Sequence, residues 1–228
     1  MKILILGAGG HAQVVADILL ARQQAGDPAL ELAGFLDDDP ALHGRTILGR
    51  PVLGPISACA ALPHEAIIIG IGHNPTRTRL AEQLQAAGEQ LITAIHPTAV
   101  IGADVAIGPG CVICAGVIVN TGTKIGANVI LNTGCTVDHH NIIGPHAHIA
   151  PGVHLGGDVN IGPGTLVGIG ATILPQQTVG AECTVGAGSV VINSVPDGVT
   201  VAGVPARIIR QPHLATEANS LNKEATYG

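Results

Sequence analysis

The stretch "VIGADVAIGPGCVICAGVIVN", residues 100–120, carries an aliphatic side chain at every sixth position. Stepping by six in both directions extends this column without interruption through Ile95, Ile101, Ile107, Ile113, Val119, Ile125, Leu131, Val137, Ile143, Ile149, Leu155, Ile161, Val167, Ile173, Val179, Val185 and Val191. Glycine often follows one residue later, and small residues recur four residues later. An uninterrupted period of six is typical of a hexapeptide-repeat β-helix.

Each hexapeptide of such a solenoid is one short strand and one turn, and three hexapeptides complete a triangular coil. Residues eighteen apart therefore stack at the spacing of neighbouring strands. We expect the aliphatic column to face inward and the recurring glycines to supply the backbone angles of the corners. We call this three-sided solenoid the prism. Its flat flanks and open ends predict a closed homotrimer that buries them.

Before the repeat, strand-like and helix-like segments alternate. The strand candidates are "KILILG" (2–7), "LELAGFLDDD" (30–39) and "EAIIIGIG" (65–72), and helices are predicted after the first and third. This order favours a small Rossmann-like parallel α/β unit, with a binding crevice at the carboxyl ends of the strands. The predicted crevice residues are Gly7, Gly9, Gly10, His11, Asp37, Asp38, Gly72 and Asn74. The predicted domains are an α/β unit at 1–93, a β-helix at 94–210 and a polar tail at 211–228.

Composition restricts the partners. The net charge of −6 is spread along the chain, which argues against nucleic acid or an anionic membrane as partner. No apolar run is long enough to span a bilayer. The five cysteines lack paired spacing, which predicts reduced thiols and a cytoplasmic protein.

The glycine loop "GAGGHA", residues 7–12, leaves three interpretations open. It keeps the first two glycines of a dinucleotide fingerprint but ends in Ala12. A phosphate on the following helix N-terminus is physically sound, and Asp37 is placed to hold a ribose or a base. The motif alone fits a dehydrogenase, a nucleotide-sugar binder or a tight turn equally well.

Five histidines lie between residues 136 and 154, and none falls in the inward column. Stacking by eighteen puts His139 between Thr121 and Gly157, and His140 between Gly122 and Asp158. An imidazole beside a bare backbone N–H is the minimum equipment for acyl transfer, because one group takes a proton and the other stabilises an oxyanion. The alternative interpretation is a solvated corner histidine.

The spacing of the histidines argues against a metal site. Hexapeptide-repeat carbonic anhydrases place two zinc ligands five residues apart and a third about two coils upstream, and no pair of histidines here is separated by five or by thirty-six. We therefore expect no metal. Cys111, Cys135 and Cys183 fall in the small-residue column, so we expect them to be structural.

Several motifs together resemble one family: "ILGAGGHAQVVAD", "FLDDD", "IGIGHNPTR", the hexads, "NTGCTVDHHNIIGPHAHIAPG" and "VAGVPAR". The chain is similar, over residues 1 to about 210, to the bacterial nucleotide-sugar acetyltransferases of the sialic-acid O-acetyltransferase type. These include the UDP-4-amino-sugar N-acetyltransferases of bacillosamine synthesis. The resemblance implies a left-handed β-helix, against the usual crossover rule. It also implies acetyl-CoA as co-substrate and direct N-acetylation of a nucleotide-linked amino sugar.

The family roles carry over residue by residue. His139, after Asp138, matches the catalytic base, and Gly157 matches the glycine whose amide contacts the acetyl carbonyl. Other matches are His148 near the acetyl group or thiol, Asn132 facing the sugar, Arg207 near the phosphates of coenzyme A, and Gly10, His11, Asp37 and Asp38 gripping the nucleotide. Family members usually have an acid where this chain has His140, so either Asp138 or Asp158 supports His139 or the base is less activated. Sugar O-acetylation and a non-enzymatic nucleotide sensor remain the alternatives.

Overall fold

The computed structural model describes residues 1–27 and 29–211, so nearly all of the predicted tail lies outside the described residues. The first unit contains strands β1 (Lys2–Leu6), β2 (Glu31–Leu36), β3 (Thr46–Ile47), β4 (Arg50–Pro51) and β5 (Ala66–Ile69), with helices α1 (Gly10–Gln24) and α2 (Asn74–Ala86). Short 3-10 helices cover Pro40–Leu42 and Ile56–Ala61. The main sheet has the order β2-β1-β5 and is parallel, as predicted.

The prism follows as a run of two-residue strands. These are β6 (Ala94–Ile95), β7 (Val100–Ile101), β8 (Ala106–Ile107), β9 (Val112–Ile113), β10 (Ile118–Val119), β11 (Lys124–Ile125), β12 (Ile130–Leu131), β13 (Thr136–Val137), β14 (Ile142–Ile143), β15 (His148–Ile149), β16 (His154–Leu155), β17 (Asn160–Ile161), β18 (Leu166–Val167), β19 (Thr172–Ile173), β20 (Thr178–Val179), β21 (Thr184–Val185) and β22 (Val190–Val191). Two further strands, β23 (Thr200–Ala202) and β24 (Arg207–Arg210), close the end of the prism.

The predicted register is confirmed. Each strand of the run ends on a residue of the aliphatic column, and Val119 pairs with Ile101 on one side and with Val137 on the other. The strands form three faces of six, five and eight strands. The column is buried from Ile113 onward, and it is only partly buried in the first coil because no coil precedes it.

The glycines of the repeat have a different role from the one predicted. None of the glycines that directly follow the aliphatic column has a positive φ. Instead, a Cβ on Gly126 or Gly144 would lie 2.6 Å from the backbone nitrogen of Pro145 or Pro163 in the next coil. These glycines are needed because consecutive coils approach closely. The left-handed backbone falls two residues later, where glycine alternates with residues such as His140, whose φ is 58°.

The α/β unit and the prism share an apolar core. One cluster of buried side chains runs from Ile3 and Val15 through Ala94 into the prism at Cys111 and Ile113. The unit is therefore packed against the first coils and is not tethered by a free linker. Among the described helices, none is both long and apolar enough to cross a membrane.

Candidate active site

His139 lies at the corner between β13 and β14. The backbone N–H of His140 donates to the carbonyl of Thr121 (3.0 Å), and the N–H of Asp158 donates to the carbonyl of His139 (3.0 Å). These bonds stack His139 between residues 121 and 157, as the period predicted. A Cβ on Gly157 would lie 2.5 Å from Nε2 of His139. The imidazole therefore lies directly over Gly157, and only glycine leaves room for it.

The backbone amide of Gly157 is the donor beside this ring. The flanking amides are occupied, since Gly156 N–H donates to Ile173 (3.0 Å) and Asp158 N–H donates to His139. Within the described residues Gly157 N–H has no acceptor. A free N–H next to an imidazole matches the acyl-transfer geometry predicted from the sequence.

The other ring nitrogen of His139 faces a second histidine. Its Nδ1 lies 3.1 Å from Nδ1 of His140, with the rings in a T-shaped arrangement, and 4.0 Å from Oδ2 of Asp158. Asp138 does not hydrogen-bond to the ring. Its Oδ1 accepts from the Asn120 amide and from the His139 backbone N–H, both at 2.8 Å. These bonds hold the pKa of Asp138 below its usual value, and Asp138 fixes the backbone of His139.

A second cluster surrounds His148 on the eight-stranded face. Asn132 Nδ2 donates to Nε2 of His148 (3.2 Å), and Nδ1 of His148 contacts the carbonyl of Gly72 (3.3 Å). The ring of His11 lies 6.3 Å away, and its buried Nε2 has no partner among the described residues. Burial, reinforced by the nearby Arg77 cation, lowers the pKa of His11 and of His148 to about 4, so both rings are neutral at pH 7.

The second cluster borders a cavity of 440 Å³ between α2 and the prism. Its lining comprises Gly72, His73, Asn74, Pro75, His148, Gly164, Leu166, Glu182, Cys183 and Thr184. Asn74 spans the gap by donating from Nδ2 to the carbonyl of Gly164 (2.8 Å). The predicted crevice residues Gly72 and Asn74 thus meet the prism at this cavity.

Arg77 is the residue that sequence reasoning missed. Only 1% of it is exposed, yet it has no carboxylate partner in the described structure. Its guanidinium donates to Asn74 Oδ1 (2.8 Å) and to backbone carbonyls, at Gly72 (3.1 Å), Asn128 (3.2 Å), Ile71 (3.4 Å), His146 (2.8 Å) and Ala147 (3.4 Å). Burial lowers its pKa to about 10, so it remains a cation. Through its bonds to prism carbonyls, Arg77 connects α2 to the prism.

The predicted nucleotide-binding site of the α/β unit lies at the start of α1. Gly9 and Gly10 are exposed, and no side chain caps the helix. The carboxylates behind this loop already hold backbone amides: Asp37 accepts from Ala8 (2.6 Å) and Asp39 (2.9 Å), and Asp38 accepts from Ile56 (2.9 Å). Asp37 therefore holds the loop at Ala8, whereas Asp38 holds the start of the 3-10 helix at Ile56.

Arg207 lies in β24 and is exposed. This strand belongs to the same face as His148, and four strand steps separate β24 from β15. At the usual spacing of about 4.8 Å between strands, the two residues are roughly 19 Å apart along the face. An extended ligand along this flank is able to reach both.

One chain does not bring the two clusters together. His139, His140 and Gly157 lie where the six- and five-stranded faces meet, whereas His148 and Asn132 belong to the eight-stranded face or its edge. Within the described ranges, no hydrogen bond or ion pair joins the two groups.

Cys111 and Cys135 take no part in either cluster, and Cys183 only lines the cavity beside the second one. Cys111, Cys135 and Cys183 are buried, as predicted from their column. Burial raises the pKa of Cys111 to about 11 and that of Cys135 to about 12. Such thiols are poor nucleophiles near neutral pH because the thiolate is scarce.

Comparisons with known proteins agree with this architecture. Residues 2–84 match the model of the PglD N-terminal domain. A UDP-N-acetylbacillosamine N-acetyltransferase of Bacillus subtilis is 40% identical over 112 residues, which is 46% of this chain and 48% of that relative, about half of its length. The acetyltransferase domain of PglB from Neisseria gonorrhoeae superposes with a TM-score of 0.84 at 36% identity, over 91% of this chain and 99% of that one.

A further solved relative spans nearly the whole molecule. PerB from Caulobacter crescentus, in complex with CoA and GDP-perosamine, superposes with a TM-score of 0.84 at 37% identity, over 91% of this chain and 97% of that one. Structures of histidine variants of the same perosamine N-acetyltransferase match equally well. Because this similarity covers both the α/β unit and the prism, the chain belongs to the family of nucleotide-sugar N-acetyltransferases with a left-handed β-helix.

Proposed function

We propose that the protein transfers the acetyl group of acetyl-CoA to the amine of a nucleotide-linked amino sugar, of the UDP-4-amino-4,6-dideoxy type. The observation that carries the proposal is the placement of the His139 ring over Gly157, whose backbone N–H has no acceptor within the described part of the chain. The CoA complexes of PerB and PglB support the choice of co-substrate.

The proposed reaction is direct transfer in a ternary complex. The sugar amine attacks the thioester carbonyl, and a new N–C bond forms while Nε2 of His139 takes a proton from the nitrogen. Gly157 N–H stabilises the negative charge on the carbonyl oxygen. Collapse of the intermediate breaks the C–S bond, and the CoA thiolate receives the proton from His139. The scheme uses no metal.

The remaining residues hold the two substrates. We assign the nucleotide to the loop of Gly9 and Gly10, with His11, Asp37 and Asp38 around it, because the free amides at the start of α1 suit a diphosphate. Asn132 and Asn74 face the sugar. His148 contacts the acetyl thioester, and Arg207, on the same face, pairs with the phosphates of CoA.

A homotrimer completes the site in this proposal. A neighbouring prism brings its eight-stranded face against the corner of His139, so that acetyl-CoA lies in the cleft between two chains. Exposed apolar side chains on the flanks support such packing, including Val100 (59% exposed) and Ile142 (51% exposed). We retain the division into residues 1–93, 94–210 and 211–228 as part of the proposal. The free cysteines support a cytoplasmic location.

The test is thiol release from acetyl-CoA against a panel of acceptors. The panel contains UDP-, GDP- and dTDP-linked 4-amino sugars, and sialic acids as hydroxyl acceptors. We expect an amino sugar to raise thiol release, with the N-acetyl product seen by mass spectrometry. Activity on hydroxyl acceptors alone would instead indicate an O-acetyltransferase. Nucleotide binding without thiol release from any acceptor would favour the sensor.

A further inference from the structure

The corner of His139 contains three metal-ligating side chains. The two Nδ1 atoms of His139 and His140 are 3.1 Å apart, and Asp158 Oδ2 lies 4.0 Å from the first of them. All three ligand atoms lie within 4.8 Å of one another, and all three residues are exposed. In a tetrahedral zinc site with bonds of about 2.0 Å to nitrogen, two such ligands lie about 3.3 Å apart. The histidine pair therefore already has nearly that separation.

The backbone holds this arrangement in place. His140 occupies the left-handed corner position with φ of 58°, and its ring lies over Gly122, where a Cβ would come within 2.9 Å of Cδ2. The ladder bonds of His140 and Asp158 fix their separation along the prism axis. Two imidazoles and one carboxylate form a ligand set that suits Zn²⁺, Co²⁺ or Ni²⁺ better than Mg²⁺ or Ca²⁺.

We propose that this corner is an inhibitory site for a divalent transition-metal ion, held by Nδ1 of His139, Nδ1 of His140 and the carboxylate of Asp158. Zn²⁺ fits best, with water as the fourth ligand. Only the inhibition rests on the proposed function, since metal binding depends on the three side chains alone.

Inhibition follows from where the ring proton goes. In the active form, the Nδ1–H of His139 donates a hydrogen bond to Nδ1 of His140, and Nε2 of His139 keeps the lone pair that acts as base. When a metal ion takes the Nδ1 lone pair, the single proton of the neutral ring moves to Nε2. The base is lost, although acetyl-CoA still binds. No proton is released, because one N–H replaces another.

A second group of potential ligands serves as an internal control. Cys59, His64 and Glu89 also lie within 4.8 Å of one another. There, however, Nε2 of His64 is engaged by Glu89 (3.0 Å), and its Nδ1 is bonded to the carbonyl of Leu62 (2.8 Å). Cys59→Ser removes the only sulfur ligand from this group and lies outside the proposed site, so it should leave turnover unchanged.

The experiment uses Co²⁺ as a visible probe and Zn²⁺ as the inhibitor, on the full chain carrying Cys59→Ser. We expect the absorption bands of tetrahedral Co²⁺ at one equivalent per chain, without a thiolate charge-transfer band. His140→Gln and Asp158→Asn, each added to this background, should weaken Co²⁺ binding by at least about tenfold, since even the loss of an outer-shell partner costs that much. Zn²⁺ should lower kcat without raising KM for acetyl-CoA, and EDTA should restore activity.

Several results would overturn the proposal. Co²⁺ bands that persist with equal affinity in both variants would place the metal elsewhere. Bands that appear only when Cys59 is present would assign it to the second group. Zn²⁺ inhibition that is unchanged by His140→Gln would separate inhibition from this corner. If no acceptor is acetylated while the Co²⁺ bands still depend on His140, the metal site stands and the proposed function fails.

Discussion

Replacing Gly157 by alanine tests the proposed catalytic geometry without removing a functional group. The new Cβ would lie 2.5 Å from both Cε1 and Nε2 of His139, whereas unstrained contacts begin near 3.5 Å. The ring must therefore move by about 1 Å. It is free to do so because the side chain of His139 is 47% exposed. A displacement of this size in a catalytic group costs about 10²-fold in rate.

Stability should change little in this variant. Gly157 has no left-handed φ to strain, and the contacted ring can swing toward solvent. Gly156→Ala is the matched control, because its Cβ would lie 2.8 Å from three atoms of Pro175, which is fixed in the next coil. We expect the control to lose about 1–3 kcal/mol of unfolding free energy and to keep its kcat while folded.

The assays are thiol release with the acceptor found in the panel and urea unfolding of both variants. We expect kcat to fall about 10²-fold in Gly157→Ala, with the urea midpoint close to that of the unchanged chain. Normal turnover in Gly157→Ala would refute the reasoning, because the base would then work equally well from a displaced position. A loss of rate in Gly157→Ala that is fully accounted for by the fraction of unfolded protein would refute the reasoning as well.

Three other changes have distinct readouts. His139→Ala should lower kcat by about 10²- to 10⁴-fold. Hybrid trimers that combine His139→Ala chains with His148→Ala chains should recover part of the activity, and no recovery would argue against a site shared between chains. Arg77→Met should lower the free energy of unfolding, measured with urea, by about 3 kcal/mol or more, because several buried carbonyls lose their hydrogen-bond donor. Arg77→Lys should be intermediate in stability, and equal stabilities of the three chains would contradict this. The pKa values of His11 and His148 are about 4 in the folded chain and near 6.5 in the unfolded chain, so between these pH values the unfolded chain binds more protons than the folded chain. Urea midpoints should therefore fall as the pH drops through this window, and His11→Gln should flatten the slope; an unchanged slope would contradict the assignment.

The prism and the corner of His139 were predictable because the repeat keeps its length from Ile95 to Val191. Successive coils are eighteen residues apart as far as Val191, so the neighbours of His139 follow from addition, and the structure confirms Thr121 and Gly157 in those places. The glycine column was misread because a sequence does not tell a glycine needed for φ from one needed for close approach. The corner positions with a positive φ are occupied by His140 and Asp158 as well as by glycines, so residue type alone does not reveal which positions have the left-handed backbone.

The residues between the two units could not be predicted in the same way. In the sequence, Arg77 is a charged residue in a predicted helix, and such residues are usually exposed. Its burial in the structure depends on how α2 packs against the prism. The approach of His11 to His148 likewise joins residues 137 positions apart in two different architectures. A periodic pattern fixes contacts inside the solenoid, but contacts across the junction depend on packing that no period describes.

The same period explains why the proposed site needs two chains. His148 follows His139 by nine residues, which is half of an eighteen-residue coil, so the two side chains leave the prism on different sides. Rotation of side chains cannot bring them together, because the aliphatic column holds the backbone in register along the prism. The proposed base, His139, and the proposed thioester contact, His148, can therefore meet only across a boundary between prisms. In this proposal the six-residue repeat sets the quaternary structure as well as the fold, since any chain that keeps the repeat also keeps the two groups apart.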